Sequence, residues 1–291
     1  MFELANDKLK VEIDSHGAEV KRVSGVANGV DYLWNGDASF WGRTAPVLFP
    51  IVGAVANGVY LHEGEEFMLG QHGFARDLAF ECVKQEAGEL WFELRASEET
   101  LVRYPFDFVL RIGYVLEGEA LVVKWEVENA GDKVMPFSIG AHPAFAAGPD
   151  LEDYYLVVDG DNGFESYVFD NDKGLVKDEK VVVVGAGGKE LPLGKELFEK
   201  HPTLILEGER QLTLKSRTHE HIVDVEFDGF PYVGIWSPVN GDGEVAPFVC
   251  IEPWFGMADT HAESGDIREK KGIQTLEPGA LFETQYTMTF K

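Results

Sequence analysis

Leu121-Val122-Val123-Lys124-Trp125-Glu126-Val127-Glu128 is the stretch that decides the fold. Leu121, Val123, Trp125 and Val127 fall on one side and mainly polar residues on the other, the two-residue period of a strand with one face in a core. The same alternation runs through Leu9-Lys10-Val11-Glu12-Ile13, Leu90-Trp91-Phe92-Glu93-Leu94, Phe106-Asp107-Phe108-Val109-Leu110-Arg111-Ile112 and Val223-Asp224-Val225-Glu226-Phe227. Glu117-Gly118-Glu119 supplies a hairpin turn between two of these strands. Long amphipathic helical windows are absent, and 32 glycines and 13 prolines punctuate short apolar runs. These features predict an all-β chain, a large antiparallel β-sandwich with few short helices. Lys195-Glu196-Leu197-Phe198-Glu199-Lys200 is one helical candidate, and Asp266-Ile267-Arg268-Glu269-Lys270, behind its Asp cap, is the other.

A chain of 291 residues without a compositional break or an internal repeat reads as a single domain over 1–291. Its 51 acidic side chains against 25 basic ones give a net charge of -26, which repels nucleic acid and anionic lipid. No nucleic-acid partner is expected. The start, Met1-Phe2-Glu3-Leu4-Ala5-Asn6-Asp7, has no basic region followed by an apolar run, and no later stretch is apolar for long enough to span a bilayer, so a cytoplasmic, soluble protein is expected. Cys82 and Cys250 are too few for a disulfide framework and read as reduced packing residues. Sandwich edges can pair between chains or be blunted by carboxylates, so the composition allows a monomer or a homodimer. The stretch from Asp159 to Lys189 reads as an exposed excursion. The irregular stretch from Phe255 to Gly272 reads as a rim or lid over whatever Glu252 faces.

Three short apolar segments each wrap ionisable groups: Gln71-His72-Gly73-Phe74-Ala75-Arg76, Gly140-Ala141-His142-Pro143-Ala144-Phe145 and Cys250-Ile251-Glu252-Pro253-Trp254-Phe255-Gly256. Burying a His or Glu among Phe, Trp and Pro costs free energy unless a partner is supplied, so the three point to one pocket. Two histidines and a carboxylate suit proton transfer. Pro143 and Pro253 hold the preceding His142 and Glu252 in extended backbone. Other clusters carry less chemistry. His219-Glu220-His221 on a strand would put two imidazoles on one face, as a metal ligand pair or, more simply, as a solvated face. Asp159-Gly160-Asp161-Asn162-Gly163 and Asp170-Asn171-Asp172-Lys173-Gly174 resemble calcium loops but lack the closing Glu, and read as acidic turns.

Trp41-Gly42-Arg43-Thr44-Ala45-Pro46-Val47-Leu48-Phe49-Pro50-Ile51-Val52-Gly53, followed in order by the His72, His142 and Glu252 segments, resembles the aldose 1-epimerase (galactose mutarotase-like) family, in particular its LacX-like branch. The resemblance runs on to Lys271-Gly272-Ile273-Gln274-Thr275-Leu276 and the terminal strand. It implies the galactose mutarotase-like supersandwich, a shallow sugar cleft, and interconversion of the α and β anomers of an aldose with no cofactor and no metal. By motif position it makes Glu252 the base, His142 the acid and His72 a hydrogen-bond partner of the sugar. Trp254 and Phe145, with Phe74, would offer apolar surface to sugar C–H faces, and Arg43 and Arg76 would bind substrate. His72 also reads as a plain buried turn histidine, and Arg76 as an ion-pair partner of Asp77.

Two departures stand out. The resemblance implies an Arg after Gly53, where this chain has Ala54, and a substrate-binding Asp near Leu197-Phe198, where it reads Glu199-Lys200-His201-Pro202-Thr203. Three functions follow as expectations. The first is a mutarotase for a neutral hexose. The second is an epimerase for a hexose 6-phosphate, with Arg43 and Arg76 as a phosphate clamp. The third is a sugar-binding or sensing protein with weak or no turnover.

Overall fold

A computed structural model of the chain describes residues 1–158, 163–262 and 264–291. The deciding stretch lies in strand Ala120–Asn129, where Leu121, Val123, Trp125 and Val127 are at most 2% exposed. Its hairpin partner Phe108–Glu117 pairs antiparallel with it, and Gly118 turns the chain at a φ of +61°, which glycine adopts without strain. On the outer face Arg111 reaches Glu93, Glu126 and Glu128 at 2.7, 3.4 and 3.0 Å, so the polar half of the alternation becomes a cross-strand ion network.

These strands sit in a nine-stranded sheet. Its order is Glu190–Pro192, Tyr154–Val158, Gln211–Ser216, Ile222–Glu226, Leu281–Phe290, Ala120–Asn129, Phe108–Glu117, Glu89–Arg95 and Glu81–Glu86. A second sheet runs Leu204–Glu207, Tyr232–Trp236, Phe248–Phe255, Ile139–Ala141 and Val47–Leu48, and Ala144–Ala146 also pairs with Phe248–Phe255. Phe2–Ala5, Leu9–Asp14 and Glu19–Gly25 form a small third sheet. Val233, Ile235, Val249 and Ile251 of the second sheet share one buried cluster with Leu110, Ile112 and Trp125 of the first. The two large sheets therefore enclose a common core, stitched by ring contacts such as Phe49 to Phe108 at 5.1 Å and Trp125 to Phe230 at 5.8 Å.

Among the described residues, helix is confined to short pieces. Lys195–Lys200 is helical as expected, whereas the Asp266 cap starts only a single 3-10 turn, Ile267–Glu269, by accepting the Arg268 N–H at 3.0 Å. Glu98–Leu101, capped by Ser97, is a helix that the apolar pattern did not signal. The excursion is more ordered than its composition suggests: Phe164–Asp170 and Leu175–Val184 pair as a hairpin, because Phe164, Tyr167, Leu175 and Val176 are buried. Its tip, Asp170–Gly174, is an acidic turn closed by Gly174 N–H on the Asp170 carbonyl at 2.8 Å. The other calcium-like motif has Asp159 to Asn162 outside the described residues. At His219 the Nδ1 atom accepts the His221 N–H at 3.2 Å and Nε2 meets the Tyr154 hydroxyl at 2.6 Å, so neither nitrogen is left for a metal. Among the described residues, no helix is long and apolar enough to cross a membrane.

Candidate active site

The site is built on strand Phe248–Phe255. Two-residue periodicity sends Val249 and Ile251 into the common core and Phe248, Cys250, Glu252 and Trp254 to the opposite face, where neighbouring loops bury them again. Gly234 pairs with Glu252, and Gly140 pairs with Trp254. The Trp254 indole fills the room these glycines leave. A Cβ at Gly234 would come within 2.4 Å of its ring, and one at Gly140 within 2.6 Å. Neither glycine has a left-handed φ, so the requirement is steric. Gly234→Ala is therefore expected to lose roughly 1–3 kcal/mol of stability in urea unfolding, with a change in Trp fluorescence as the indole is displaced. An unchanged midpoint and spectrum would refute this slot.

His142 follows strand Ile139–Ala141, which pairs with Phe248–Phe255, and its Nε2 lies 3.2 Å from Glu252 Oε2. The contact is short but misaligned, since Oε2 makes no hydrogen bond. Trp41 stacks on the imidazole at 4.7 Å, while Trp236 and His72 meet it edge-on at 5.5 and 5.6 Å. Burial in this aromatic box, with Arg76 and Arg43 acting in the same direction against the imidazole's own backbone contact, holds the His142 pKa down to about 3. Burial pushes Glu252 well above the usual carboxylate range, with the Trp254 indole and the Arg76 guanidinium pulling the other way. The pair accordingly holds one proton, and burial favours it on the carboxyl.

His72 occupies a tight turn at φ +65°, a conformation unusual for a residue with a side chain. The turn is locked on both sides: His72 N–H donates to the Gly53 carbonyl at 2.7 Å, and Nδ1 accepts the Gly53 N–H at 3.1 Å. Nε2 then carries the ring hydrogen and acts as a donor. Burial, reinforced by His142, lowers the His72 pKa well below normal and keeps the ring neutral. His72 is thus a turn histidine that also lines the cleft.

Gly53 is in turn held by the segment 257–260. A Cβ on Gly53, whose φ is +72°, would lie 2.4 to 2.5 Å from Ala258. Asp259 N–H donates to the Ala54 carbonyl at 2.9 Å, and Asp259 Oδ2 accepts the Ala56 N–H at 2.9 Å. Asp259 Oδ1 takes Lys270 Nζ at 2.9 Å, with both side chains at most 5% exposed. This buried ion pair braces the cleft wall that carries Gly53 and Ala258. From the described part of the Phe255 to Gly272 stretch, Ala258 reaches the cleft lining.

The cleft has a volume of about 310 Å³, near the lower end of the roughly 300–1,000 Å³ of ligand pockets, which suits a single sugar ring. Of the expected site residues, His72, His142, Glu252, Arg43, Arg76 and Trp254 line it. Phe145 does not, which corrects the sequence reading: it is fully buried, pairs with Val249 and packs in the common core, on the face opposite His142's neighbours. Phe74 is likewise a core residue. Arg43 is ion-paired with Asp77 at 2.6 Å, whereas Arg76 stands 3.9 Å from Asp77, donates to the Gln71 carbonyl at 2.9 Å and has a buried Nε with no hydrogen bond. Trp41, Gln71, Phe169, Asn171, Thr203, Ile205 and Trp236, together with Gly53 and Ala258, complete the lining. Trp41 opens the quoted motif and Gln71 precedes His72, so both had a signal in sequence. Phe169 and Asn171 reach the cleft only through the hairpin, and Trp236 only through its pairing with Cys250. Thr203 is the polar side chain that the stretch lacking an Asp contributes.

The aldose 1-epimerase family model matches residues 1–273. The chain belongs to the aldose 1-epimerase family. Plasmid-encoded protein LacX of Lactococcus lactis subsp. lactis is 32% identical over 300 aligned positions, covering 99% of this chain and 98% of LacX. Two solved structures superpose with a TM-score of 0.93 at 32% identity: a galactose mutarotase related enzyme from Lactobacillus acidophilus, over 100% of this chain and 97% of that one, and a galactose mutarotase-like protein from Lactobacillus casei ATCC 334, over 100% of both. The fold is the galactose mutarotase-like sandwich, and the family makes the chain a carbohydrate epimerase of the isomerase class. At position 54 this family member has no guanidinium to offer, and the Ala54 carbonyl is engaged by Asp259.

Proposed function

We propose that the protein is an aldose 1-epimerase interconverting the α and β anomers of a hexose, with Glu252 and His142 as the acid/base pair. The observation that carries this reading is the 3.2 Å approach of His142 Nε2 to Glu252 Oε2 in a cleft sized for one sugar. Glu252 takes the proton from the anomeric hydroxyl as the C1–O5 bond breaks, its electron pair leaves on the ring oxygen, and His142 protonates that oxygen. The C1 aldehyde rotates about C1–C2, and the reverse transfers close the ring on the other face. Neutral carboxyl and neutral imidazole are the states this step leaves behind, and they are the states burial favours. The ionised pair that starts the step has the same number of protons, so one transfer across the short contact generates it. Arg76 stabilises the carboxylate form, and the His72 Nε2 hydrogen is available to a sugar oxygen. Trp41, Trp236 and Trp254 supply flat apolar walls for C–H faces.

The test is polarimetry of freshly dissolved α-D-glucose and α-D-galactose. Acceleration above the uncatalysed rate is expected, and none on any hexose would sink the reading.

Arg43 and Arg76 on the same cleft favour a second reading, a hexose 6-phosphate as substrate. Arg76→Gln would then raise the KM for glucose 6-phosphate by about 10- to 150-fold beyond any change it makes with the neutral sugar, the range of a lost charged hydrogen bond. Equal effects on both sugars would leave the neutral hexose as the substrate.

A further inference from the structure

The proposed reaction makes no use of Cys250, yet the ligand atoms of Cys250, His142 and Glu252 all lie within 4.8 Å of one another. Cys250 and Glu252 stand two residues apart on one strand face, and His142 faces Glu252 at 3.2 Å from the neighbouring strand's end. Each of the three is buried, and among the described residues Glu252 Oε2 has no hydrogen-bond partner. We propose that these three residues form a binding site for a thiophilic divalent cation, zinc foremost, which blocks the acid/base pair when it is filled.

The donor chemistry selects the ion. One thiolate, one imidazole and one carboxylate are the mixed soft and borderline donors that zinc takes in three-ligand sites, and magnesium and calcium prefer all-oxygen sets. Bond lengths of about 2.0–2.3 Å place tetrahedral donors roughly 3.3–3.6 Å apart. The His142 to Glu252 spacing is already close to that, and the sulfur has to close by roughly 1.3 Å at most. Charge balance supports the same ion. Thiolate plus carboxylate neutralise a dication, so the filled site adds no net charge to a buried region that Arg43 and Arg76 already make unfavourable for a cation. Binding releases two protons to solvent, that of the Cys250 thiol and the one the His142/Glu252 pair holds, and changes no oxidation state. It also occupies the lone pairs of Nε2 and Oε2 through which the proton must pass.

Blockage rests on the proposed reaction, whereas binding does not, so the probe is Co²⁺ read by its absorption. The Cys82→Ser variant, which leaves Cys250 as the remaining thiol, is expected to bind Co²⁺ with a thiolate-to-metal charge-transfer band and to lose that band to Zn²⁺. Cys250→Ala is expected to lose the band and to turn over sugar at the metal-free wild-type rate. Its Zn²⁺ inhibition should weaken by more than the roughly 10- to 100-fold that outer-shell partners supply. Cys250→Ser, close in volume, serves if the alanine variant does not fold, and His142→Asn must weaken Co²⁺ binding with the thiol still present. Absence of the band in Cys82→Ser, or its persistence in the Cys250 variants, overturns the site. If the protein accelerates no sugar yet shows the band, the reaction is refuted and the metal site stands.

Discussion

Glu252→Gln is expected to lower the mutarotation rate by about 10²–10⁴-fold while making the protein more stable at neutral pH. Both effects come from one buried carboxyl. Its folded-state pKa is raised by burial, so the native protein keeps a proton that the unfolded chain sheds above about 4.5. Stability is fully present below that pH and is lost as pH rises towards the folded pKa, with a slope of up to about 1.4 kcal/mol per pH unit. Glutamine removes the slope. The melting temperature of the variant should therefore match or trail wild type near pH 4.5 and overtake it by pH 8. His142→Asn works from the other side. With a folded pKa of about 3, the imidazole makes wild type lose stability as pH falls below about 6.5, and the asparagine variant should lose less. Between these limits the pair holds its one proton, so the sugar rate should be flat from weakly acidic pH up to the raised Glu252 pKa and fall above it. Parallel melting curves for wild type and Glu252→Gln at every pH would show that the carboxyl is not held protonated. Full activity in both variants would remove the pair from the reaction.

Lys270→Met should cost about 3–5 kcal/mol, because it leaves the Asp259 carboxylate buried without its ammonium. Urea unfolding would measure it. The double variant Lys270→Met/Asp259→Leu should recover part of that loss, since removing both charges also removes the stranded one. The effect reaches the cleft through a chain of contacts. Asp259 holds the Ala54 carbonyl and the Ala56 N–H, these hold Gly53 against Ala258, and Gly53 holds both ring and backbone of His72. A sugar KM that rises in Lys270→Met with kcat nearly intact is the expected result at any temperature where the variant is folded. A destabilisation below about 1 kcal/mol would mean that the pair is solvated and worth no more than a surface bridge.

Much of this protein is legible along the chain because its strands are half-buried. A strand such as Ala120–Asn129 has one wet face, so alternation marks both the element and the side turned inward. Phe248–Phe255 is different. It is buried on both faces, so its pattern is almost continuously apolar, and Glu252 stands out in it as a charge that needs a reason. The two histidines stand out in the same way. Phe145 could not be separated from the lining, because an aromatic two or three residues from a catalytic group lies on the core face or the cleft face according to the strand's pleat alone.

The sequence by itself determined the sandwich, the buried acid/base candidates and the family, since alternation and ordered motifs are local properties of the chain. Only the tertiary structure decided what surrounds them. Trp41 lies 101 residues before the imidazole it stacks on, Lys270 reaches back over 200 residues to brace the Ala54 segment, and Cys250 approaches His142 only across a sheet. Such contacts depend on strand order and register, which no local pattern encodes, and the pKa shifts of His142 and Glu252 follow from the burial those contacts create.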